Sequence, residues 1–444
     1  MEINRKRIAY YMLPCLLIWV MYLASFYPAL MTNDSFAQLM QIESGKFSDW
    51  HPVFHTWLIM LIRMIWDSPA AVAIVQILAL ALIWGYGMYC LEAKGVSRHI
   101  IWVVTLLFAL SPVNGILSIS LWKDTLYSSF LLLFCICIFN LVTTEGKWLK
   151  SMPHTVLFTV AILGTIFFRH NGFPVFIVTM FFLIWVYLKK TKSLLLLALT
   201  VACFYLVFTR PVYHYLQVKP SSASEALAIP MQQFAMVINE NGKLKESQTN
   251  YLQTIMPLSL WKENYNPYWV DKLKFAKEYN PDAMLENPEK FLKMWGGIGL
   301  QNPDLYIKAF LKQTSIVWQI PQEGYTFYFV TNTVPNQFGV ENKSLNKNLT
   351  EMLNSVLVYT RDHMKEMIWR PATYNILTLF FMFIGFLRNG WKMWLVILPI
   401  VLNTGVIMAA IPAQDFRYLF ANTLIAYFAL LVAFVKDKKE EDAA

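Results

Sequence analysis

Long apolar runs constrain this chain more than any motif in it. From Ile8 to Met31 the sequence is apolar almost without interruption. Runs of the same character recur near residues 69–91, 99–118, 125–142, 154–169, 173–188, 193–209, 373–387, 393–411 and 418–435. The hydrocarbon core of a bilayer, about 30 Å thick, is crossed by roughly 20 apolar helical residues. Backbone in that medium must satisfy its own hydrogen bonds, which a helix does. The runs therefore predict an all-α polytopic membrane protein of about ten transmembrane helices, several of them short for a full crossing. Composition agrees: 57% of the residues are hydrophobic and 15% charged, with a mean hydropathy of +0.44, against roughly 25% charged in soluble domains. A disordered chain, a nucleic-acid-binding domain and a cytosolic enzyme are excluded on the same ground.

The run Ile8–Met31 ends in Pro28-Ala29-Leu30-Met31-Thr32-Asn33-Asp34, without the small residues of a cleavage site, and reads as a retained first span. Residues 210–372 are nearly charge-balanced, so the net charge of +9 sits beside the spans, where orientation explains it better than nucleic acid does. Lys and Arg in short loops stay on the cytoplasmic side. Arg5-Lys6-Arg7, Lys94 with Arg98, Lys147 with Lys150, Lys189-Lys190 with Lys192, Arg388 with Lys392, and Lys436 with Lys438-Lys439 fall on alternate connections. All face the cytoplasm at once if both termini are inside a plasma (inner) membrane. Cys15, Cys90, Cys135, Cys137 and Cys203 lie inside apolar runs with no CxxC spacing, a pattern of packed thiols rather than a disulfide framework or zinc site.

The layout is then residues 1–209 as an N-terminal transmembrane region, 210–372 as a mainly helical extracytoplasmic insertion, and 373–444 as C-terminal transmembrane helices with a charged tail. Within the insertion, Leu305 to Trp318 reads as an amphipathic helix following Asn302-Pro303-Asp304. The stretch Val53–Trp66, too short and polar to span readily, reads as an interfacial helix.

The unusual polar residues share the outer side. One constellation, in the first outer loop 32–68, is Asn33-Asp34-Ser35 with Gln38, then Asp49-Trp50-His51-Pro52 with His55. Two carboxylates and two histidines there suit a general base, a divalent metal site (Mg or Mn at Asp34 and Asp49), or both. The plainer alternatives are that Asp34 caps a helix over Ser35–Met40 and that Asp49 braces the turn before Pro52. A second constellation is cationic: Lys123, Arg169, His170 and Arg417, beside Trp122, Asp124, Asn171, Asp415 and Tyr418. Arg grips phosphate in a bidentate fork and Lys acts as a point charge, so a lipid-linked phosphate is the natural ligand. Snorkelling to headgroups, or the local ion pairs Lys123-Asp124 and Asp415-x-Arg417, are the plainer alternatives. Trp50, Trp122, Tyr325, Tyr328 and Tyr418 are placed either to stack on a sugar or to anchor the interface.

An acidic residue just after span one (Asn33-Asp34-Ser35), the following Asp49-Trp50-His51-Pro52, a long outer insertion, and Asp415-Phe416-Arg417-Tyr418 entering the last span resemble the polytopic GT-C glycosyltransferases. That superfamily includes protein O-mannosyltransferases and the aminoarabinose transferases of lipid A. The resemblance covers the layout and short motifs in residues 30–56, 120–128, 168–173 and 412–420. It implies transfer of a sugar from a polyprenyl-phosphate carrier to an envelope glycan, lipid or protein acceptor outside the membrane. Asp34 would then be the base or help to hold a metal, with Asp49 or Asp124 as the second carboxylate and His51 in support. Lys123, Arg169, His170 and Arg417 would hold the carrier phosphate. Gln38, His55, Trp122, Asp124, Asn171, Asp415 and Tyr418 would line the substrates, and 210–372 would offer the acceptor surface. The alternatives are a transporter or flippase for a lipid-linked or envelope polysaccharide, and an envelope scaffold. A transporter calls for ionisable residues deep within spans and often for repeats, and neither is evident.

Overall fold

The computed structural model describes residues 4–187, 192–322 and 331–435; Lys189, Lys190, Tyr325, Tyr328, Lys436, Lys438 and Lys439 lie outside them. Among the described residues regular structure is helical, with β-pairing confined to isolated bridges. The first ten helices in chain order are α1 (Arg5–Ser25), α2 (Asn33–Ser44), α3 (Val53–Ile65), α4 (Pro69–Glu92), α5 (Arg98–Leu110), α6 (Pro112–Ile119), α7 (Lys123–Thr143), α8 (Met152–Phe168), α9 (Gly172–Tyr187) and α10 (Ser193–Val207). Among the described residues six helices are long and apolar enough to cross a membrane: α1, α4, α7, α10 with its continuation to Tyr215, Pro371–Asn389 and Trp391–Ala410. The sequence expectation of about ten spans thus meets six full-length helices. The other runs fold as the pair α5 and α6, bent by 57° at Ser111-Pro112, and as the shorter apolar helices α8, α9 and Phe416–Val432. The bend falls where proline removes a backbone donor and crowds the preceding turn.

Packing divides the chain into two compact units. The first comprises Met1–Pro220, Tyr328–Asn403 and Phe416–Ala444; the second comprises Ser221–Phe327 with Thr404–Asp415. Residues 331–372, read from sequence as part of the insertion, pack within the first unit. There the Asn342 Nδ2 amide donates to the carbonyls of Phe26 (2.7 Å) and Ala29 (2.8 Å).

In the first unit α1 starts where Asn4 Oδ1 accepts the Arg7 N–H at 3.2 Å, satisfying one orphan donor of the first turn. It lies close along α4 because Gly85 has no side chain: a Cβ there would stand 2.6 Å from the Ile8 carbonyl oxygen. Near those ends Glu92 gathers Arg7 (2.9 Å), the Tyr11 hydroxyl (3.1 Å) and Arg98. Lys392 pairs with Glu145 at 2.6 Å. The α7 helix is apolar all round and almost wholly buried, as such a helix must be. By contrast α10 exposes most of its surface, and Cys203 with it. The expectation of packed cysteines therefore holds for Cys15, Cys90, Cys135 and Cys137, while Cys203 points outward because few neighbours cover its helix.

The second unit is built around Phe234, Leu252, Trp261, Leu273 and Ile298. The helix Pro303–Trp318 turns Tyr306, Ala309 and Ile316 inward, while the apolar Ile307 and Leu311 are exposed.

Candidate functional site

The site begins with two linkers that hold one another. Leu30 N–H donates to the Ile119 carbonyl (3.1 Å) and Leu121 N–H to the Leu30 carbonyl (2.9 Å). The Ser35 hydroxyl donates to the Leu121 carbonyl (2.9 Å), and Trp122 Nε1–H donates to the Thr32 hydroxyl (2.9 Å). These bonds set the first turn of α2 beside the first turn of α7, two helix N-termini that favour negative charge between them. The N-cap of α2 is Thr32. The capping role considered for Asp34 is thus taken two residues earlier, and Asp34 projects from the first turn.

Around Asp34 the structure gathers residues far apart in sequence. Arg417 Nη1 lies 2.5 Å from Asp34 Oδ2. His51 Nε2 stands 3.8 Å from Asp34 Oδ1, and the other ring nitrogen, Nδ1, is 2.7 Å from Lys123 Nζ. Arg169 Nη1 lies 2.8 Å from Asp124 Oδ1 and also donates to the Tyr418 carbonyl at 3.3 Å. Neither Asp124 oxygen has a hydrogen bond of good geometry, so the contact with Arg169 is ionic rather than directed. Aromatic faces back the guanidinium groups: Arg169 lies 4.9 Å from the Tyr418 ring and 5.7 Å from Tyr127, and Arg417 lies 5.0 Å from Trp122. Ion pairs also join residues far apart in the chain, Arg417 with Asp34 and Arg169 with Asp124.

Lys123, Arg169 and Arg417 gather with two carboxylates, Asp34 and Asp124, in a largely buried place. Burial works to raise the pKa of Asp34, but Arg417, then Lys123 and His51, outweigh it and hold the carboxyl at about 2. Burial, then Lys123, push His51 down to about 3, so its ring is neutral. Each is the expected response to desolvation and neighbouring charge.

The other candidates sit nearby in different employment. Asp49 Oδ1 accepts the Val53 N–H (3.0 Å), bracing the start of α3 as the plainer sequence reading has it, while burial raises its pKa against the influence of His170. His170 Nδ1 is 3.8 Å from Asp49 Oδ2, and the same ring's Nε2 is 2.9 Å from the Asp49 carbonyl. Gln38 and His55 are core residues: the Gln38 amide donates to the Thr56 hydroxyl (3.0 Å) and its oxygen meets His55 Nδ1 (3.1 Å), tying α2 to α3. Asn171 occupies the turn from α8 to α9, its carbonyl accepting the Val175 N–H at 3.4 Å. Asp415 belongs to the second unit. A cavity of about 480 Å³ adjoins Met31, Leu39 and Leu121, with Glu43, Arg63 and Asp67 also lining it; the charge cluster lies outside it.

The carboxylates named for a divalent metal are engaged with Arg417 and with the α3 cap, and among the described residues no three His, Cys, Asp or Glu side chains gather as a ligand set. Sequence reading did not single out Thr32 or Tyr127. Tyr127 falls three and four residues after Asp124 and Lys123 on one helix, a spacing that puts all three on neighbouring faces.

Residues 65–444 match the model of a family described as a family of unknown function, DUF6020. Lys123, Asp124, Arg169 and Arg417 fall inside the matched range; Asp34 and His51 precede it. Neither the curated proteins nor the solved structures hold a match to the chain.

Proposed function

The chain belongs to the DUF6020 family, and we propose that it is a membrane glycosyltransferase of the GT-C kind. It moves a sugar from a polyprenyl-phosphate carrier to an envelope glycan, lipid or protein acceptor on the extracytoplasmic face. The observation that supports this reading is the meeting of residues 34, 51, 123, 124, 169 and 417 at the ends of apolar helices, with two guanidinium groups among them. Preorganised cations in a place screened from water stabilise a developing phosphate charge strongly. In this reading ten spans cross a plasma membrane: the six long helices, the bent pair, and α8, α9 and Phe416–Val432. The cations near Glu92 and Glu145 face the cytoplasm, as do both termini, and residues of the 210–372 stretch lie outside.

At rest Asp34 is a poor base, since a carboxyl held at about 2 by Arg417 accepts a proton weakly. The carrier phosphate competes for the Arg417 fork, and Asp34, released from it, takes the proton of the acceptor. The acceptor oxygen attacks the anomeric carbon from the face opposite the phosphate. The sugar inverts, and Lys123, Arg169 and Arg417 offset the charge on the departing carrier phosphate.

The test is sugar release from a panel of radiolabelled polyprenyl-phosphate sugars by the purified protein, wild type beside Asp34→Asn. Turnover by the wild type, reduced about 10²- to 10⁴-fold in the variant with carrier binding retained, supports the reading. If neither protein releases sugar nor binds a carrier, the reading fails and a transporter becomes the better description.

A further inference from the structure

Resting on the glycosyltransferase reading above, we propose that His51 and Asp34 form the seat of a hydroxyl nucleophile. His51 Nε2–H is the fixed donor that places the acceptor oxygen. Lys123 decides the state of the ring. Burial opposes the charged form of Lys123, and Asp124 and Asp34 favour it; as an ammonium it carries three donors and no lone pair. With that ammonium 2.7 Å away, His51 Nδ1 accepts, and a neutral imidazole that accepts at Nδ1 carries its proton on Nε2.

That Nε2–H has no hydrogen-bond partner, although the side chain is only 8% exposed. A buried donor left unmet is costly and marks where a ligand atom belongs. Trp50 stacks on the ring with centroids 5.0 Å apart, which holds its plane. The gap of 3.8 Å from Nε2 to Asp34 Oδ1 is too long for a direct hydrogen bond, but one oxygen at about 2.8 Å from each fits between them.

The bridging atom must accept from His51 and donate to a carboxylate. A hydroxyl does both. A phosphate oxygen would accept from His51 but meet the like charge of Asp34. An ammonium has no lone pair to offer His51, and an amide nitrogen accepts poorly. In the reaction the acceptor O–H proton passes to the Asp34 carboxylate and the oxygen forms its bond to the anomeric carbon. The bond from that carbon to the carrier phosphate breaks, with its electron pair leaving on the phosphate. His51 keeps its proton throughout. By occupying one lone pair of the oxygen it aims the other at the sugar.

The experiment uses the full chain in detergent, with the carriers above as donors and with water and methanol as small acceptors. Wild type is expected to give free sugar and methyl glycoside. His51→Gln, whose amide N–H reaches the position of Nε2, keeps activity within about 3-fold. His51→Leu and His51→Asn, which do not place a donor there, lose on the order of 10- to 100-fold in kcat. Carrier binding, read from tryptophan fluorescence, stays unchanged, and thermal unfolding confirms that each variant is folded. A folded His51→Leu as active as wild type overturns the assignment, as does a His51→Gln as inactive as His51→Leu. Either of these with an active wild type leaves the transferase reading standing; a wild type that releases no sugar from any carrier removes both.

Discussion

Two histidines four residues apart are held in opposite tautomers, and the difference comes from what each one meets. His51 accepts at Nδ1 from an ammonium, whereas His55 donates from Nδ1 to the Gln38 oxygen and is fully buried. Burial first, and Lys123 second, depress His55 from its ordinary 6.5 to about 3. Its unfolded form binds a proton below 6.5 while the folded form resists one until about 3, so its contribution to stability is full above 6.5 and is lost as pH falls through that window. His55→Leu is expected to be less stable than wild type at pH 7 by about 1–3 kcal/mol, because Gln38 loses its partner. The gap should narrow as the pH is lowered from 6.5 to 3, and thermal unfolding in detergent across that range checks it. A gap that stays constant means that His55 is protonated in the fold.

Among the elements, the turn between α8 and α9 does most to position a guanidinium. Gly172 closes it so tightly that a Cβ would stand 1.9 Å from the Thr165 carbonyl oxygen and 2.6 Å from its carbon. Both are backbone atoms, so no rotamer change relieves the clash. Gly172→Ala is expected to cost about 2–4 kcal/mol and to weaken carrier binding by displacing Arg169. Unfolding temperature and carrier titration measure the two effects; a variant with wild-type stability and binding would show that the turn tolerates movement. The pairing of α2 with α7 works in the same way, since Ser35 and Trp122 hold the two helix starts together without touching the charges themselves.

For the molecule as a whole, the orientation proposed here makes a prediction that needs no substrate. In a Cys203→Ser background, whose remaining thiols are buried, Lys243→Cys should react with a membrane-impermeant maleimide on intact cells. Lys150→Cys should react only after permeabilisation. The opposite pattern inverts the topology and removes the extracytoplasmic site.

Membrane character and helical class were legible in the sequence because polar backbone groups in lipid must bond to one another, which leaves helices as the answer for apolar runs of this length. The identity of the polar residues worth watching was legible too, since Asp34, His51, Lys123, Arg169 and Arg417 stand out against apolar neighbours. Their partners were not. The sequence offered Lys123-Asp124 and Asp415-x-Arg417 as neighbours along the chain, whereas the fold pairs Arg417 with Asp34 and Arg169 with Asp124. It also withdraws Gln38 and His55 into the core. Charge pairing acts through space and falls off within a few ångströms. Only the tertiary structure, which brings residue 34 against residue 417, decides which side chains face a substrate and which hold the protein together.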